Sequence, residues 1–472
     1  MKNYSENLKA TFFLGIASFV TSGINYLMTP IFTRLMTTAE FGLVSKYNSA
    51  YLIISVIATL TLSRPGILSV GFYEHKSDRW TFLSSLLGEV FVSSLVTFLF
   101  ISLLWKPFGY LLSIPFSLVI LIIVSCVIQP AMTFWTYKQR YEYKWKSTFL
   151  VNVFTAIFAQ TFSVLAVIWF KKCSSYNLGL VRLFSAAAIN LLVSMVIYFY
   201  IIWKGRQIIN LGLWRKTFLF AVPLIPHYFG FALLSGIDKL MIGSMIGDDK
   251  AGIYSLAAVI STIGALVWQA LCVSITPFIF EKLGTRQFEK IDVLTKPLLE
   301  LVGLFCIAIS FSSPEIILVM GTEEYSGAAY VIPAAAAGAF MHVMYDLFSN
   351  VAFSKKKSVQ IMTATVIAAS ANVALNYIFI KNYGYIAAGY TTLISYIILA
   401  FLHYRNARKI EKTTIFDSKY DVLISLLVII FCLISIPLYD YSFIRYFVIL
   451  AIIITVIARR NKYISAIGEM KV

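Results

Sequence analysis

The sequence predicts an all-α polytopic membrane protein with about fourteen transmembrane helices. Three observations carry this. The 472 residues are 59% hydrophobic and only 13% charged, too little polar side-chain surface to clothe a soluble chain of this length. The apolar residues fall in runs of about 20, the length a helix needs to cross hydrocarbon. The lysines and arginines lie mostly in every second connection, which is how membrane topology is written in sequence.

Reading in order, the apolar runs are 10–33, 41–63, 81–104, 111–135, 148–170, 178–203, 217–246, 251–279, 294–320, 328–353, 358–380, 385–404, 421–439 and 442–458. The last two are short and divide at Tyr439-Asp440-Tyr441. No small-residue cleavage site follows the polar start MKNYSENLKATFF, so the first span is expected to serve as its own targeting signal. With the N-terminus on the cytoplasmic side, the inner segments hold 29 of the 39 lysines and arginines and the outer connections seven. That asymmetry predicts both termini inside and an even number of spans. It also accounts for the net charge of +17 without nucleic acid. The connections are short, the longest being 405–420. No GxxxxGK[ST] loop is present to draw on ATP. Transport is therefore expected to run on H+, Na+, the membrane potential or the substrate gradient, with no bound cofactor. The five cysteines and four histidines show no metal-ligand spacing.

A weak internal repeat links 35–48, LMTTAEFGLVSKYN, with 245–258, MIGDDKAGIYSLAA, at an offset of 210. Gly42 matches Gly252, and Ser45 matches Ser255. Two related copies in so apolar a chain suggest a transporter of two related halves.

Polar groups inside the apolar runs are the candidate site residues. Arg34 and Arg64 end the first two spans, either as interfacial anchors or as phosphate-binding cations. Asp238 and Lys239 are adjacent in the seventh span, so they face different partners, in a structural lock or on substrate. Glu89, Glu300 and Asp346 are candidates for ion coupling or gating, Glu300 lying nearest a membrane edge. His342, Asp346 and Asn350 form one helical stripe, for interhelical bonding or cavity lining. Asn372 and Asn376 form a similar pair. His227 follows Pro223 and Pro226 in a span expected to kink, and is read as a hinge or cavity residue. The segment Tyr137–Trp145 mixes aromatics with cations, as an interfacial belt does.

The block Asp238-Lys239, Ile242-Gly243, Ile246-Gly247, Gly252, Tyr254, Ser255 and Ala257-Ala258 resembles the signature of bacterial polysaccharide flippases of the O-antigen (Wzx) type. So does Arg34-Leu35 followed by Glu40-Phe41-Gly42. These belong to the multidrug/oligosaccharidyl-lipid/polysaccharide exporter superfamily. One departure is Lys239, where arginine is more usual; the charge stays but the bidentate fork does not. The resemblance implies two six-helix lobes, 1–209 and 210–410, in a V around a central cavity, with 411–472 adding a helix pair and a tail. It implies flipping of an undecaprenyl-diphosphate-linked oligosaccharide across the bacterial inner membrane by alternating access. Arg34, Arg64, Lys239, His342 and Asn350 would meet the head group. The expected partners are the lipid-linked oligosaccharide, the bilayer and the polysaccharide polymerase machinery, with the chain a monomer. A lipid II flippase and a drug/cation antiporter of the MATE type stand as alternatives.

Overall fold

A computed structural model describes residues 20–21, 23–75, 78–142, 144–173 and 176–469, and every regular element among them is helical. The chain divides into two compact units, Met1–Gly252 and Ile253–Val472.

The first unit begins with α1, 23–35. There follow α2 Thr38–Ala58, α3 Pro65–Glu74, α4 Arg79–Leu103, α5 Trp105–Leu112, α6 Phe116–Ile128, α7 Pro130–Tyr141, α8 Trp145–Lys171, α9 Leu178–Gly205, α10 Leu211–Ala221 and α11 Ile225–Met245. The next helix, α12 Asp248–Ser261, carries the boundary at Gly252. The second unit continues with α13 Ile263–Gly284, α14 Phe288–Phe311, α15 Ser313–Met320, α16 Ile332–Ser354, α17 Ser358–Tyr383, α18 Ile386–Glu411, α19 Ser418–Ile434, α20 Ser442–Ala458 and α21 Arg460–Glu469.

Ten helical segments are long and apolar enough to cross a membrane, or thirteen when each of three bent pairs counts as one span. These thirteen coincide with the second to fourteenth expected spans. The first, 10–33, lies largely outside the described residues. Large apolar side chains stand bare on the outer faces; Phe443, Phe447 and Ile454 on α20 are each more than half exposed. Such a surface requires lipid as its solvent. The expected kink is present: α10 ends at Ala221, a 3₁₀ turn runs through Val222–Leu224, and α11 restarts before Pro226. Proline removes a backbone donor and crowds the preceding turn, so the helix breaks there.

In the first unit the core lies between α3, α4, α7 and α9, where Phe72, Leu83, Leu86 and Phe134 are fully enclosed or nearly so. The start of α2 is a capping box. Thr37 accepts from the Glu40 amide, while Glu40 Oε2 accepts from the Thr37 amide at 2.9 Å. Glu40 Oε1 also accepts the amide of Leu178, the first residue of α9, at 2.7 Å. One carboxylate thus satisfies orphan donors of two helices.

The repeat shows itself in space. A Cβ built on Gly42 would lie 1.9 Å from the Asp248 carbonyl, and one on Gly252 would lie 2.0 Å from the Thr38 carbonyl. Thr38 and Asp248 are themselves equivalent at the offset of 210. Matching glycines therefore let two matching helix starts cross backbone to backbone, the small-residue solution for helices in lipid. Beside this crossing, Lys46 is buried and pairs with Asp248 at 2.5 Å. Its ammonium also donates to the Ser113 carbonyl and to Ser113 Oγ.

In the second unit α16 is central and buried along nearly its whole length, packed against α13, α14, α18 and α19. The C-terminal helix pair leans on α14. Buried Arg445 of α20 donates to the Phe311 carbonyl at 3.1 Å and to Glu315 at 2.7 Å.

Candidate functional site

The first unit carries an open chamber of about 450 Å³ among these apolar helices, with many polar side chains in its lining. Its principal wall is one face of α7 and the residue before it. Gln129, Thr133, Thr136, Tyr137 and Arg140 recur at helical spacing and line it together. From α8 come Asn152 and Thr155, and from α9 come Asn190 and Ser194. No carboxylate stands among the described lining residues.

Some of these groups are already engaged. Gln129 accepts from the Tyr51 hydroxyl at 3.0 Å, Thr155 donates to the Val151 carbonyl, and Asn190 donates to the Ala186 carbonyl. Thr136 Oγ1 and Arg140 Nε are buried without a partner among the described residues. Unmatched polar atoms in a membrane interior are costly unless a ligand or water meets them. The chamber is thus built for a hydroxyl-rich or water-bearing occupant.

The lining includes one cation and one tyrosine, Arg140 and Tyr137, and a second such pair, Arg64 and Tyr228, is near by. Arg140 sits 5.4 Å from the ring of Tyr137 and Arg64 sits 4.6 Å over Tyr228. Both guanidiniums act electrostatically on the Tyr137 phenol, and Arg64 also acts on buried His227. Two arginines with planar forks beside tyrosine rings suit a phosphate-bearing group. Several neighbouring charged groups are held in contacts of their own. Lys138 stacks on Trp80 at 3.9 Å and pairs with Glu142 at 2.5 Å, and Arg79 stacks on Tyr141. At Glu142, burial raises the carboxyl pKa, but hydrogen bonds from Lys138 and Lys144 outweigh it, leaving the value below 4.5.

The expected site residues scatter. Arg64 and His227 are not among the described residues lining the chamber; Arg64 lies over Tyr228 and acts electrostatically on Tyr137 and His227. Arg34 is exposed at the far end of α2, its guanidinium on the Pro30 carbonyl at 2.8 Å. A 21-residue helix separates it from Arg64, about 30 Å of rise, so the two cannot grip one diphosphate together. Lys239 is half-buried beside buried Asp238 on α11. Glu89 is buried on α4; its Oε2 accepts from Thr217 at 2.6 Å and its Oε1 has no partner among the described residues.

Most second-unit candidates form helix-to-helix contacts, whereas Asn350 bonds within α16. Asp346 accepts from Trp268 Nε1 at 2.9 Å and from the Cys272 thiol at 3.1 Å. His342 lies edge-on to Tyr396 at 5.3 Å. Asn350 returns its amide to the Asp346 carbonyl at 2.8 Å. Asn372 and Asn376 bond to each other and to Thr392 and Thr391 of α18. Glu300 pairs with Arg459 and Lys462 and accepts from Tyr463 at 3.2 Å. This cluster joins the middle of α14 to Arg459, Lys462 and Tyr463 near the C-terminal end of the chain.

The chamber itself escaped the sequence reading. Its signal is present in the polar spacing Gln129, Thr133, Thr136, Tyr137, Arg140 along α7 and in Asn190 and Ser194 along α9. Each stripe alone is indistinguishable from helix-packing residues.

The profile of the polysaccharide biosynthesis protein family matches residues 7–282, and that of the MatE family matches residues 223–378. Lsg locus putative protein 1 of Haemophilus influenzae is 26% identical over 205 residues, which is 41% of this chain and 49% of that protein. The chain thus spans about half the length of the curated relative it matches. Three solved structures share the fold. An inward-facing multidrug resistance MATE family transporter of the MOP superfamily superposes with a TM-score of 0.59 at 13% identity, covering 83% of this chain and 96% of that one. The lipid II flippase MurJ in an inward closed conformation gives 0.57 at 18% identity, covering 94% and 98%. A MOP superfamily transporter from Pyrococcus furiosus gives 0.52 at 16%, covering 87% and 96%. The match over 7–282 takes in more than half of the sequence, and this multi-pass membrane protein belongs to the polysaccharide biosynthesis protein family.

Proposed function

We propose that the protein is a flippase for an undecaprenyl-diphosphate-linked oligosaccharide, moving it from the cytoplasmic to the outer leaflet of a bacterial inner membrane. The observation that supports this best is the chamber of amide and hydroxyl groups that ends on Arg140, with Arg64 acting on the same tyrosine. A diphosphate and its sugars cannot cross hydrocarbon unaided. They need cations for the phosphates and exchangeable hydrogen bonds for the sugars, and this unit places both together. A drug/cation antiporter is favoured by a carboxylate in its cavity, and the described chamber residues supply none.

In this reading 1–209 and 210–410 act as two lobes in alternating access, and 411–472 is an appendage. No ATP is used; H+, Na+ or the membrane potential drives the cycle, with Glu89, Asp238 and Asp346 as the carboxylates available to it. The part of the chamber carrying Arg140 faces the cytoplasm, where the substrate loads. Lys239, His342 and Asn350 remain secondary candidates for head-group contact, and Arg34 for release at the far end.

The test is the lipid-linked oligosaccharide pool of a deletion strain, with an assay of the leaflet that holds it. Complete repeat units should accumulate on the cytoplasmic side. Wild-type protein should clear them, and Arg64→Ala or Arg140→Ala should clear them at least about tenfold more slowly, as loss of a charge-assisted bond implies. An unchanged pool together with altered sensitivity to organic cations would replace the flippase by an antiporter.

A further inference from the structure

We infer that the chamber in the first unit is a subsite for a neutral sugar, and that Thr136, Asn152 and Asn190 decide which sugar is accepted. This rests on the flippase reading and narrows its substrate. The chamber holds about 450 Å³, within the range of a small-ligand pocket. Its walls offer donors and acceptors in about equal measure from Gln129, Thr133, Thr136, Asn152 and Asn190. A saccharide ring presents the same mixture, hydroxyls that both give and take. Thr136 is 7% exposed, and its Oγ1 has no partner among the described residues although it borders open space. A ligand hydroxyl matches that atom; a hydrocarbon does not.

Charge sets the second limit. Among the described lining residues the only charged group is Arg140, at the end shared with Tyr137. With a phosphate on Arg140, nothing further in is left to neutralise a uronic acid carboxylate in a low-dielectric wall. The first sugar beyond the phosphates is therefore an uncharged one. Rejection is sharp because a site built to bond hydroxyls leaves its own polar groups unpaired when the wrong partner enters.

The protein in lipid nanodiscs is titrated with farnesyl diphosphate alone, and with farnesyl diphosphate carrying N-acetylglucosamine, galactose or glucuronic acid. At least one neutral-sugar probe should bind about tenfold tighter than the bare diphosphate, and the glucuronic acid probe should not. Thr136→Ala, Asn152→Ala and Asn190→Ala should erase the sugar's gain while leaving farnesyl diphosphate binding intact, which also shows that the variants are folded. Arg140→Ala should weaken all probes alike. If no neutral sugar adds affinity, or if the glucuronic acid probe binds best, the subsite assignment is overturned. If farnesyl diphosphate itself does not bind the wild type, the flippase reading fails instead.

Discussion

At the scale of single residues, carboxylates at or beyond the ends of spans carry the clearest consequences. Glu40 caps its own helix and receives the first amide of α9. Glu40→Ala strands donors on both, and a lost cap costs about 1–2 kcal/mol. The thermal midpoint of the detergent-solubilised protein should fall by several degrees, and Glu40→Gln should recover part of it by keeping an acceptor. Glu142 predicts a pH effect. Its pKa in the folded protein is lowered from 4.5 because bonds from Lys138 and Lys144 outweigh burial. A depressed carboxylate contributes stability above its unfolded value and loses it as pH falls through the folded one. Unfolding measured from pH 6 downward should show a loss of stability below about pH 4.5 that Glu142→Gln lacks. If the two proteins respond to acid identically, the Lys138–Glu142–Lys144 cluster does not stabilise the fold.

At the scale of helices, packing is set by what lipid withholds. Helices in hydrocarbon gain little from burying leucine against leucine, so close backbone approach has to hold them. Gly42 and Gly252 supply it at equivalent places of the internal repeat. Gly252→Leu forces the crossing open, and overpacking of this kind costs about 1–3 kcal/mol. Gly284→Leu is the matched control, since nothing lies within 4 Å of its Cβ position. Folded yield, read by size-exclusion chromatography in detergent, should drop for the first and hold for the second. Much at this scale was legible in sequence. Lipid makes apolar length the dominant signal, so the spans from the second onward fall where the apolar runs do, and Pro223 and Pro226 marked the break between α10 and α11. The repeat was legible as two glycines, but not that they touch. Nor was the chamber legible, because Gln129, Asn152 and Asn190 come from different helices. Each carries the amide that elsewhere, as at Asn372 and Asn376, simply ties two helices together. Only tertiary structure separates a polar stripe facing a cavity from one facing a neighbour. The acidic residues carry a related ambiguity. A carboxylate in an apolar run signals that something must meet it, and at Glu300 Arg459 and Lys462 do so.

At the scale of the molecule the open matter is which way the bundle stands. Composition gives a strong expectation: 29 lysines and arginines fall in one set of connections and seven in the other. This contrast depends on parity, because one span too many or too few before a given loop would exchange the two sets from there on. With each bent pair counted as one span, the thirteen segments keep that parity from α2 to the end of α20. They set Lys355–Lys357, Arg408 and Lys412 on one side, and the short turns at Lys381 and Tyr439 on the other. Translocating a basic segment against the membrane potential costs about 2.3 kcal/mol per charge per 100 mV, so the basic connections stay where they are made. Alkaline phosphatase, active only outside the cytoplasm, fused after Gly384 should therefore be active, and fused after Thr413 inactive. The outcome also bears on function. In the sequence count Lys138, Arg140, Lys144 and Lys146 fall in the same set of connections as Lys412, so this pattern supports the proposal that a lipid-linked precursor loads from the cytoplasmic leaflet. The opposite pattern would count against loading from that leaflet and so against the proposed direction of export.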